Sequence, residues 1–271
     1  MTVIQKVLTF IKKTKGDVKK KGILWKFSGE WMSGSESVPF NVERVWKMAH
    51  EIERIFIQMP RVGMIVMPGG GNIYRGEMKK DFRLDKTSSA FSDKIGIRAT
   101  EINALLLGAM LVEDLGEEHV AIFVSSDPDP SLVYSYEKVS KALKQGKLVV
   151  LGGGTGNPGT STDYAAANRA TLFDRGCIIM AKNGVDGVYT DDPRKKKAKK
   201  VQKYATASYS TAFNKGVMDG TAVGQARDNG GIPLYVYDAD NGDSLLEFLD
   251  EDATLSGTLI GNCPTTFASA D

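Results

Sequence analysis

Residues 148–159 read LVVLGGGTGNPG, an apolar run of leucine and valine that passes directly into glycines. The same junction occurs twice more, because residues 23–30 read ILWKFSGE and residues 62–72 read VGMIVMPGGGN. Short apolar runs that end in glycine are typical of buried parallel strands followed by a loop. The carboxyl ends of parallel strands meet at one edge of a sheet, so we expect the three glycine loops to lie side by side.

Segments typical of strands and of helices alternate along the rest of the chain. The apolar runs predict strands at residues 23–27, 62–67, 120–124, 148–151, 178–181, 234–237 and 258–260. Longer stretches predict helices at residues 42–58, 93–114, 134–145, 163–174, 208–214 and 218–229. This β-α-β-α order predicts an α/β fold with a mostly parallel central sheet covered on both faces.

The composition indicates a folded protein with a sizeable core. Of the 271 residues, 42% are hydrophobic and 25% are charged, which excludes a mainly disordered chain. No uninterrupted apolar run approaches the roughly 18 residues that a membrane helix needs. Two cysteines and two histidines supply neither a disulfide framework nor a His-rich metal site, so we expect a reducing, cytoplasmic setting without a membrane.

The positive charges are concentrated in two runs. Residues 1–21 hold seven lysines and one acid, and residues 194–203 hold seven basic residues and no acid. We interpret both runs as solvated surface, with contact to nucleic acid or to anionic lipid as the less favoured alternatives. The first run also places apolar residues at helical spacing without a signal-peptide cleavage site, which predicts a surface helix.

The glycine loops predict a site for a phosphorylated ligand. Glycine lets backbone N–H groups approach an anion without a Cβ in the way. The Walker pattern G-x-x-x-x-G-K-[ST] is absent, whereas residues 154–159 match G-x-G-x-x-G. A dinucleotide site would also need an acid at the end of the next strand, and Asp174 is predicted to close a helix instead. Residues 160–163, TSTD, are better suited to capping the helix that follows.

Several charged residues beside these loops are candidates for phosphate chemistry. Lys26 lies on a strand next to a glycine turn, and Arg75 follows the second glycine loop. Either cation can hold a phosphate, although a strand lysine can equally point to solvent. Four aspartates lie at predicted loop–helix junctions, where each alone is also explained as a helix cap: Asp93, Asp163, Asp192 and Asp219.

Together these segments resemble the amino acid kinase superfamily and, within it, the bacterial uridylate (UMP) kinases. The similarity extends from about residue 23 to residue 260 and is carried by residues 26–30, 69–76, 93–96, 103–105, 153–163, 182–193, 218–219 and 257–260. Residues 185–189, VDGVY, are shared across the superfamily. Residues 69–76, GGGNIYRG, and residues 154–158, GTGNP, resemble UMP kinases in particular.

The resemblance implies a three-layer αβα sandwich with a mostly parallel central sheet. It implies a basic extension at residues 1–22, a single kinase domain at residues 23–260 and a tail at residues 261–271. Within the domain, an acceptor lobe would span about residues 23–175 and an ATP lobe about residues 176–260. It further implies ATP and Mg²⁺ as cofactors, UMP as acceptor, a role in pyrimidine biosynthesis and a homohexamer.

The resemblance also assigns roles to individual residues. Contacts to ATP would come from Lys26, Ser28, Gly29, Gly71, Asn183, Tyr189 and Asp192. Contacts to UMP would come from Gly70, Arg75, Asp93, Thr155, Gly156, Asn157 and Thr162. The transfer itself would depend on the cations Lys26, Arg75 and Lys182, and on Asp163 and Asp219, which would order the lysines or Mg²⁺.

Elementary chemistry is consistent with this function. A nucleoside monophosphate has a second pKa near ~6, so its attacking oxygen is already ionised at neutral pH and no general base is required. A chain with two histidines, both outside the glycine loops, suits such a reaction. The protein would align two phosphates and neutralise their charge, transferring the γ-phosphoryl group of ATP to UMP.

One segment departs from the family pattern. Residues 159–161 read GTS where UMP kinases commonly carry two phenylalanines, which leaves the acceptor specificity open. The alternatives are another superfamily kinase, acting on an amino acid, a carbamate or an isoprenoid phosphate, and a non-catalytic nucleotide sensor or oxyanion-storage protein. The presence of Lys26, Asp163 and Asp219 argues against a loss of catalysis.

Overall fold

The computed structural model describes residues 21–34, 38–76, 78–84, 89–191, 193, 201–215, 219–240 and 256–268. Nine strands occur there: β1 Lys21–Phe27, β2 Gly63–Pro68, β3 Val120–Phe123, β4 Leu148–Leu151, β5 Arg175–Lys182, β6 Tyr204–Ser208, β7 Leu234–Asp238, β8 Thr258–Gly261 and β9 Thr266–Phe267. Eight helices accompany them: α1 Gly29–Ser33, α2 Val42–Gln58, α3 Met78–Asp81, α4 Ser89–Leu115, α5 Tyr136–Lys144, α6 Thr162–Ala170, α7 Tyr209–Lys215 and α8 Gly220–Asp228.

The strands form one sheet in the order β3-β4-β2-β1-β5-β7-β8-β6-β9. The pairings from β3 to β7 are all parallel, while β7–β8 and β6–β9 are antiparallel. All seven predicted strands are present. The sequence analysis missed β6 and β9, because Tyr204–Ser208 has no continuous apolar run and Thr266–Phe267 is a two-residue exposed edge.

Side chains on the two faces of the sheet belong to two separate cores. On β1, Ile23, Trp25 and Phe27 join the core formed with α2 and α4, whereas Leu24 joins the core formed with α5, α6, α7 and α8. This alternation is the period-2 geometry of a strand. The observed architecture is therefore the predicted αβα sandwich with a mostly parallel central sheet.

Helix α4 is longer than predicted, since it begins at Ser89 rather than at residue 93. Among the described helices it alone is long and apolar enough to cross a membrane by length and composition. Its buried side includes Ala104, Leu107 and Leu111, which pack into the core beneath the sheet. This packing identifies α4 as a core helix of the sandwich.

Helix α6 is shorter than predicted and ends at Ala170 rather than at residue 174. The chain turns here so that Phe173 packs into the core over two glycines. A Cβ on Gly22 would lie 2.1 Å from the Phe173 ring, and a Cβ on Gly63 would lie 2.7 Å from it. The ring therefore needs both glycines, one on β1 and one on β2.

Candidate active site

The glycine loops after β1, β2 and β4 lie together at the carboxyl edge of the parallel strands. The turn at Gly29 touches the second loop, and a Cβ there would lie 2.5 Å from the backbone nitrogen of Gly71. The second and third loops both pack on α4, because a Cβ on Gly70 would lie 2.8 Å from the Cβ of Ala99, and the Gly153 N–H donates to Thr100 Oγ1 at 2.8 Å. Close approach therefore requires glycine at positions 29 and 70.

A cleft of about 750 Å³ opens between these loops and the first half of α4. It brings together eight of the residues that the sequence analysis selected: Gly70, Gly71, Arg75, Asp93, Thr155, Asn157, Thr162 and Asp219. Its walls are mainly backbone of glycine loops, hydroxyl groups and charged side chains. Such a lining suits a ligand that is both phosphorylated and rich in hydroxyl groups.

A buried centre of three charges lies at the start of α6, next to the cleft residue Thr162. Lys26 projects from β1 on the face opposite to Trp25 and Phe27, and that face is where α6 begins. Its Nζ lies 2.7 Å from Asp163 Oδ1, and the Nζ of Lys182 donates to Asp163 Oδ2 at 2.9 Å. We call Lys26, Asp163 and Lys182 the charge centre. Their side chains are only 10%, 11% and 17% exposed.

Burial and neighbouring charge act in opposite directions on the charge centre. Burial favours the neutral form of Asp163, but the positive charges of Lys182 and Lys26 outweigh it and hold the pKa of Asp163 well below its usual range. Burial lowers the pKa of Lys26, and Asp163 partly offsets that shift. The centre thus places two buried ammonium groups around one carboxylate, which is an arrangement suited to receiving further negative charge.

Two helix N-termini meet beside the charge centre. Ser161 caps α6 by accepting from Tyr164 N at 3.0 Å, and Asp219 caps α8 by accepting from Thr221 N at 2.9 Å. The Ser161 hydroxyl donates to Asp219 Oδ2 and so links the two caps. Burial raises the pKa of Asp219, but hydrogen bonds from Ser161 and Thr221 outweigh it and lower the pKa overall. The positive ends of both helix dipoles therefore face the cleft.

The third glycine loop closes the far side of the cleft and is held by Asp93. Residues Gly153, Gly154, Gly156 and Gly159 all have positive φ, which favours glycine at each position. Asp93 accepts from Gly159 N at 2.8 Å through Oδ2 and from Lys79 Nζ at 2.5 Å through Oδ1. The hydrogen bond from Lys79, aided by that from Gly159, lowers the pKa of Asp93 although partial burial opposes it.

Arg75, one of the cleft residues, is half exposed, and its Nε donates to Gly71 O at 3.1 Å and lies 3.6 Å from Glu30 Oε1. Several other predicted residues lie beyond the cleft or outside the described residues. Asn183 follows β5, and the Tyr189 hydroxyl donates to Asp186. Of the predicted ATP ligands, Ser28 and Gly29 follow β1 beside the charge centre. Asp192 lies outside the described residues.

The sequence analysis did not select three polar residues that shape the cleft. Lys79 binds Asp93, Thr100 binds the third loop, and Glu30 faces Arg75. Lys79 and Thr100 lie in segments without a glycine loop or a motif, so no local signal distinguishes them. Glu30 follows Gly29 directly. Its position beside a glycine turn predicted to bind phosphate was the only sequence feature that pointed to a place in the cleft.

A further group of possible metal ligands lies elsewhere. His50, Glu53 and Asp114 approach within 4.8 Å of one another on the surface of α2 and α4. Asp114 is 14 residues along α4 from Thr100, which corresponds to about 20 Å at the rise of a helix. This exposed group is therefore separate from the cleft.

Comparison with known proteins agrees with this geometry. A model of the amino acid kinase family matches residues 21–238. A uridylate kinase of Oenococcus oeni is 35% identical over 225 residues, which cover 82% of this chain and 89% of that protein. The crystal structure of a UMP kinase from Bacillus anthracis has a TM-score of 0.81 at 29% identity, covering 92% of this chain and 99% of the other. The crystal structure of a UMP kinase from Ureaplasma parvum has a TM-score of 0.78 at 29% identity, covering 90% of this chain and 99% of the other.

The family match spans most of the chain, and the structural relatives are covered almost completely. Both findings agree with the three glycine loops at the carboxyl edge of the sheet and with the paired lysines around Asp163. The chain belongs to the amino acid kinase family.

Proposed function

We propose that this protein is an ATP-dependent UMP kinase, which transfers the γ-phosphoryl group of ATP to UMP and releases UDP and ADP. The observation that carries the proposal is the charge centre, which holds two buried ammonium groups beside a hydroxyl-lined cleft. The acceptor is named from the uridylate kinase relative, at 35% identity, and from the UMP kinase structures. No alternative acceptor has comparable support.

The reaction needs alignment and charge neutralisation more than proton transfer. The phosphate of UMP is largely doubly ionised near neutral pH, because its second pKa is about 6. Lys26 and Lys182 would stabilise the negative charge that spreads over the transferred phosphoryl group, while Asp163 keeps both ammonium groups in place. Arg75 would leave Glu30 to hold a phosphate at the transfer point.

The two nucleotides would occupy different parts of the loop edge. UMP would lie in the cleft, with Asp93 at its ribose and with the third glycine loop around its base and phosphate: Gly70, Thr155, Gly156, Asn157 and Thr162. ATP would lie across β1 and β5, with its phosphates on Lys26, Ser28, Gly29 and Gly71 and its adenosine at Asn183, Tyr189 and Asp192. The acceptor lobe would then span about residues 23–175, and the ATP lobe about residues 176–260.

The residues present fit a Mg²⁺ ion that is held mainly by the substrate phosphates, which is common for this ion. Asp163 pairs both carboxylate oxygens with lysines, Oδ2 through a hydrogen bond from Lys182 and Oδ1 through an ion pair with Lys26 alone. Asp219 accepts two hydrogen bonds from Thr221 and one from Ser161, so one acceptor position remains for a metal or its water. When bound, Mg²⁺ would neutralise charge on the phosphate oxygens.

The same proposal includes the cellular context that the family resemblance implies. The protein would act in the cytoplasm, in pyrimidine nucleotide biosynthesis, as a homohexamer. Analytical ultracentrifugation at micromolar concentration tests the assembly, and a monomer would contradict it. Neither a membrane nor a nucleic acid is required for the proposed reaction.

A coupled ADP-release assay with ATP and Mg²⁺ tests the function. The acceptors compared are UMP, CMP, dUMP, aspartate, acetylglutamate, carbamate and isopentenyl phosphate. We expect turnover with UMP, and comparison with CMP measures how well the small residues 159–161 discriminate between bases. Turnover with a non-nucleotide acceptor alone would contradict the acceptor site, and a folded protein that binds ATP without any turnover would contradict catalysis.

A further inference from the structure

Lys79 connects three segments of the cleft through one carboxylate. It lies on the short helix α3, and its Nζ is 2.5 Å from Asp93 Oδ1 near the start of α4. The other oxygen of Asp93 accepts the backbone N–H of Gly159 at 2.8 Å. The side chains of Lys79 and Asp93 are 26% and 24% exposed, so the pair is more sheltered than a surface ion pair.

The loop that Asp93 holds has little other support at that point. Gly159 has a φ of +78°, and no heavy atom lies within 4 Å of the place where its Cβ would be. Nearer its start the loop is held by Thr100 and Arg169, but its tip is otherwise closed by its own hydrogen bonds, since Thr155 and Thr160 share a hydroxyl contact at 2.6 Å and Thr160 donates to Asn157 O. Asp93 therefore supplies a tether from α4 to the tip of this loop.

Lys79 determines which way the Asp93 carboxylate faces. A carboxylate can rotate about its last side-chain bond, because terminal sp³–sp² torsions are broad. An ammonium on one oxygen fixes that rotation and leaves the other oxygen on Gly159. Each oxygen then has a remaining acceptor position, so the carboxylate can bind two neighbouring hydroxyl groups without releasing either partner.

We propose that Lys79 is a positioning residue for the phosphate acceptor: it fixes the Asp93 carboxylate so that one face holds the glycine loop at Gly159 while the free positions receive the two ribose hydroxyls. This inference rests on the proposed function, because it takes the acceptor to be a ribonucleotide. It assigns no contact between Lys79 and the transferred phosphoryl group. Loss of Lys79 should therefore weaken acceptor binding while the chemical step and ATP binding are retained.

The test compares Lys79→Met with Lys80→Met as a matched control, since Lys80 is exposed on the same short helix. Hydrogen bonds to charged groups are among the stronger ones in proteins, but partial exposure to solvent weakens this one. We therefore expect the KM for UMP to rise roughly 5- to 10-fold in Lys79→Met. We expect the kcat and the KM for ATP to stay within about twofold of wild type. Lys79→Arg should restore most of the UMP affinity, and Lys80→Met should behave as wild type.

Amide hydrogen exchange of peptides that span residues 155–161, in the protein without nucleotide, provides a readout independent of activity. We expect faster exchange in Lys79→Met than in wild type and no change in Lys80→Met, because the Gly159 N–H loses its fixed acceptor. Unchanged exchange would overturn the positioning role, and so would an equal rise in KM for both nucleotides. If wild type does not turn over UMP, the proposed function fails, and the exchange experiment still decides whether Lys79 positions the loop.

Discussion

The charge centre and the Lys79–Asp93 pair use the same chemistry in different surroundings. Each contains an aspartate held by lysine at 2.5 to 2.9 Å. The charge centre is 10–17% exposed and lies between β1, β5 and the start of α6, whereas the Lys79–Asp93 pair is about a quarter exposed and lies between two helices and a loop. The packing of the sheet and α6 fixes the charge centre, whereas the Lys79–Asp93 pair is fixed by side chains at the edge of the cleft.

The difference in burial predicts a difference in role. Taking charges out of water costs free energy that a buried ion pair often only just recovers, so a buried centre with two like charges is weak support for stability. Its position beside the cleft fits the proposed function better, in which Lys26 and Lys182 would be kept close to the incoming phosphate. A partly exposed ion pair loses less hydration free energy when it forms and less stability when it separates. Such a pair suits a carboxylate that holds a loop beside a ligand.

The largest effect on stability is expected from Asp163→Asn, which leaves two buried ammonium groups without their carboxylate. Removing one partner of a buried ion pair typically costs about 3–5 kcal/mol, and urea unfolding at pH 7 measures it. Asp228→Asn is the control, because the Arg227–Asp228 pair is also 2.7 Å long but is exposed on the surface. A loss of similar size in both variants would contradict the distinction between buried and exposed pairs.

The same variant predicts a pH dependence. The folded-state pKa of Asp163 lies well below the ordinary value of 3.8. In wild type, its contribution is complete at about pH 5 and above and decreases as the pH falls through 3.8, because the unfolded chain then takes up a proton and the folded protein does not. The difference in unfolding free energy between wild type and Asp163→Asn should narrow between pH 5 and pH 3, and a constant difference would contradict the assignment.

The largest effect on catalysis is expected from Lys26→Met, which keeps the apolar stem and removes the ammonium group. Loss of one fixed donor to a developing negative charge commonly lowers the rate by roughly 10²–10³-fold. The fold should persist, because Asp163 keeps Lys182 as its partner. ADP release and near-ultraviolet circular dichroism measure the two effects, with the exposed Lys141→Met as control, and turnover within tenfold of wild type would contradict the role of Lys26.

An intermediate effect on both stability and turnover is expected from Ser161→Ala, because Ser161 caps helix α6 and also binds the cleft residue Asp219. Loss of an N-cap hydroxyl costs about 1 kcal/mol of stability. Ser135 is the matched control, because it caps α5 in the same way but lies outside the cleft. Both alanine variants should lose similar stability in thermal unfolding, and only Ser161→Ala should also lower turnover, since it removes the hydrogen bond to Asp219.

The smallest effect is the stability change in Lys79→Met. Exposed and partly exposed ion pairs contribute about 0–1 kcal/mol, so the free energy of unfolding should fall by no more than that. Urea unfolding measures this loss of unfolding free energy and compares it with the loss in Asp163→Asn. A loss approaching that of Asp163→Asn would show that Lys79 holds the fold rather than the third glycine loop.

The sequence by itself determined the fold class and the edge of the sheet at which the glycine loops meet. Apolar runs that end in glycine mark strands and their loops because strand geometry and the φ angles open to glycine are local properties. They were enough to predict seven of the nine described strands, and to select Lys26, Asp93 and Asp163. The strands β6 and β9 were missed because their pairing depends on neighbours more than on their own residues.

The tertiary structure alone decided which charges meet. Periodicity tells which face of a strand Lys26 occupies, but not that Asp163, more than a hundred residues later, lies opposite to it. The contact of Gly159 with Asp93 likewise joins residues 66 positions apart, and Lys79 carries no motif. A side chain's partner depends on how distant elements pack, so the contact of Lys79 with Asp93 and the linked caps at Ser161 and Asp219 are seen only once the sheet and helices are assembled.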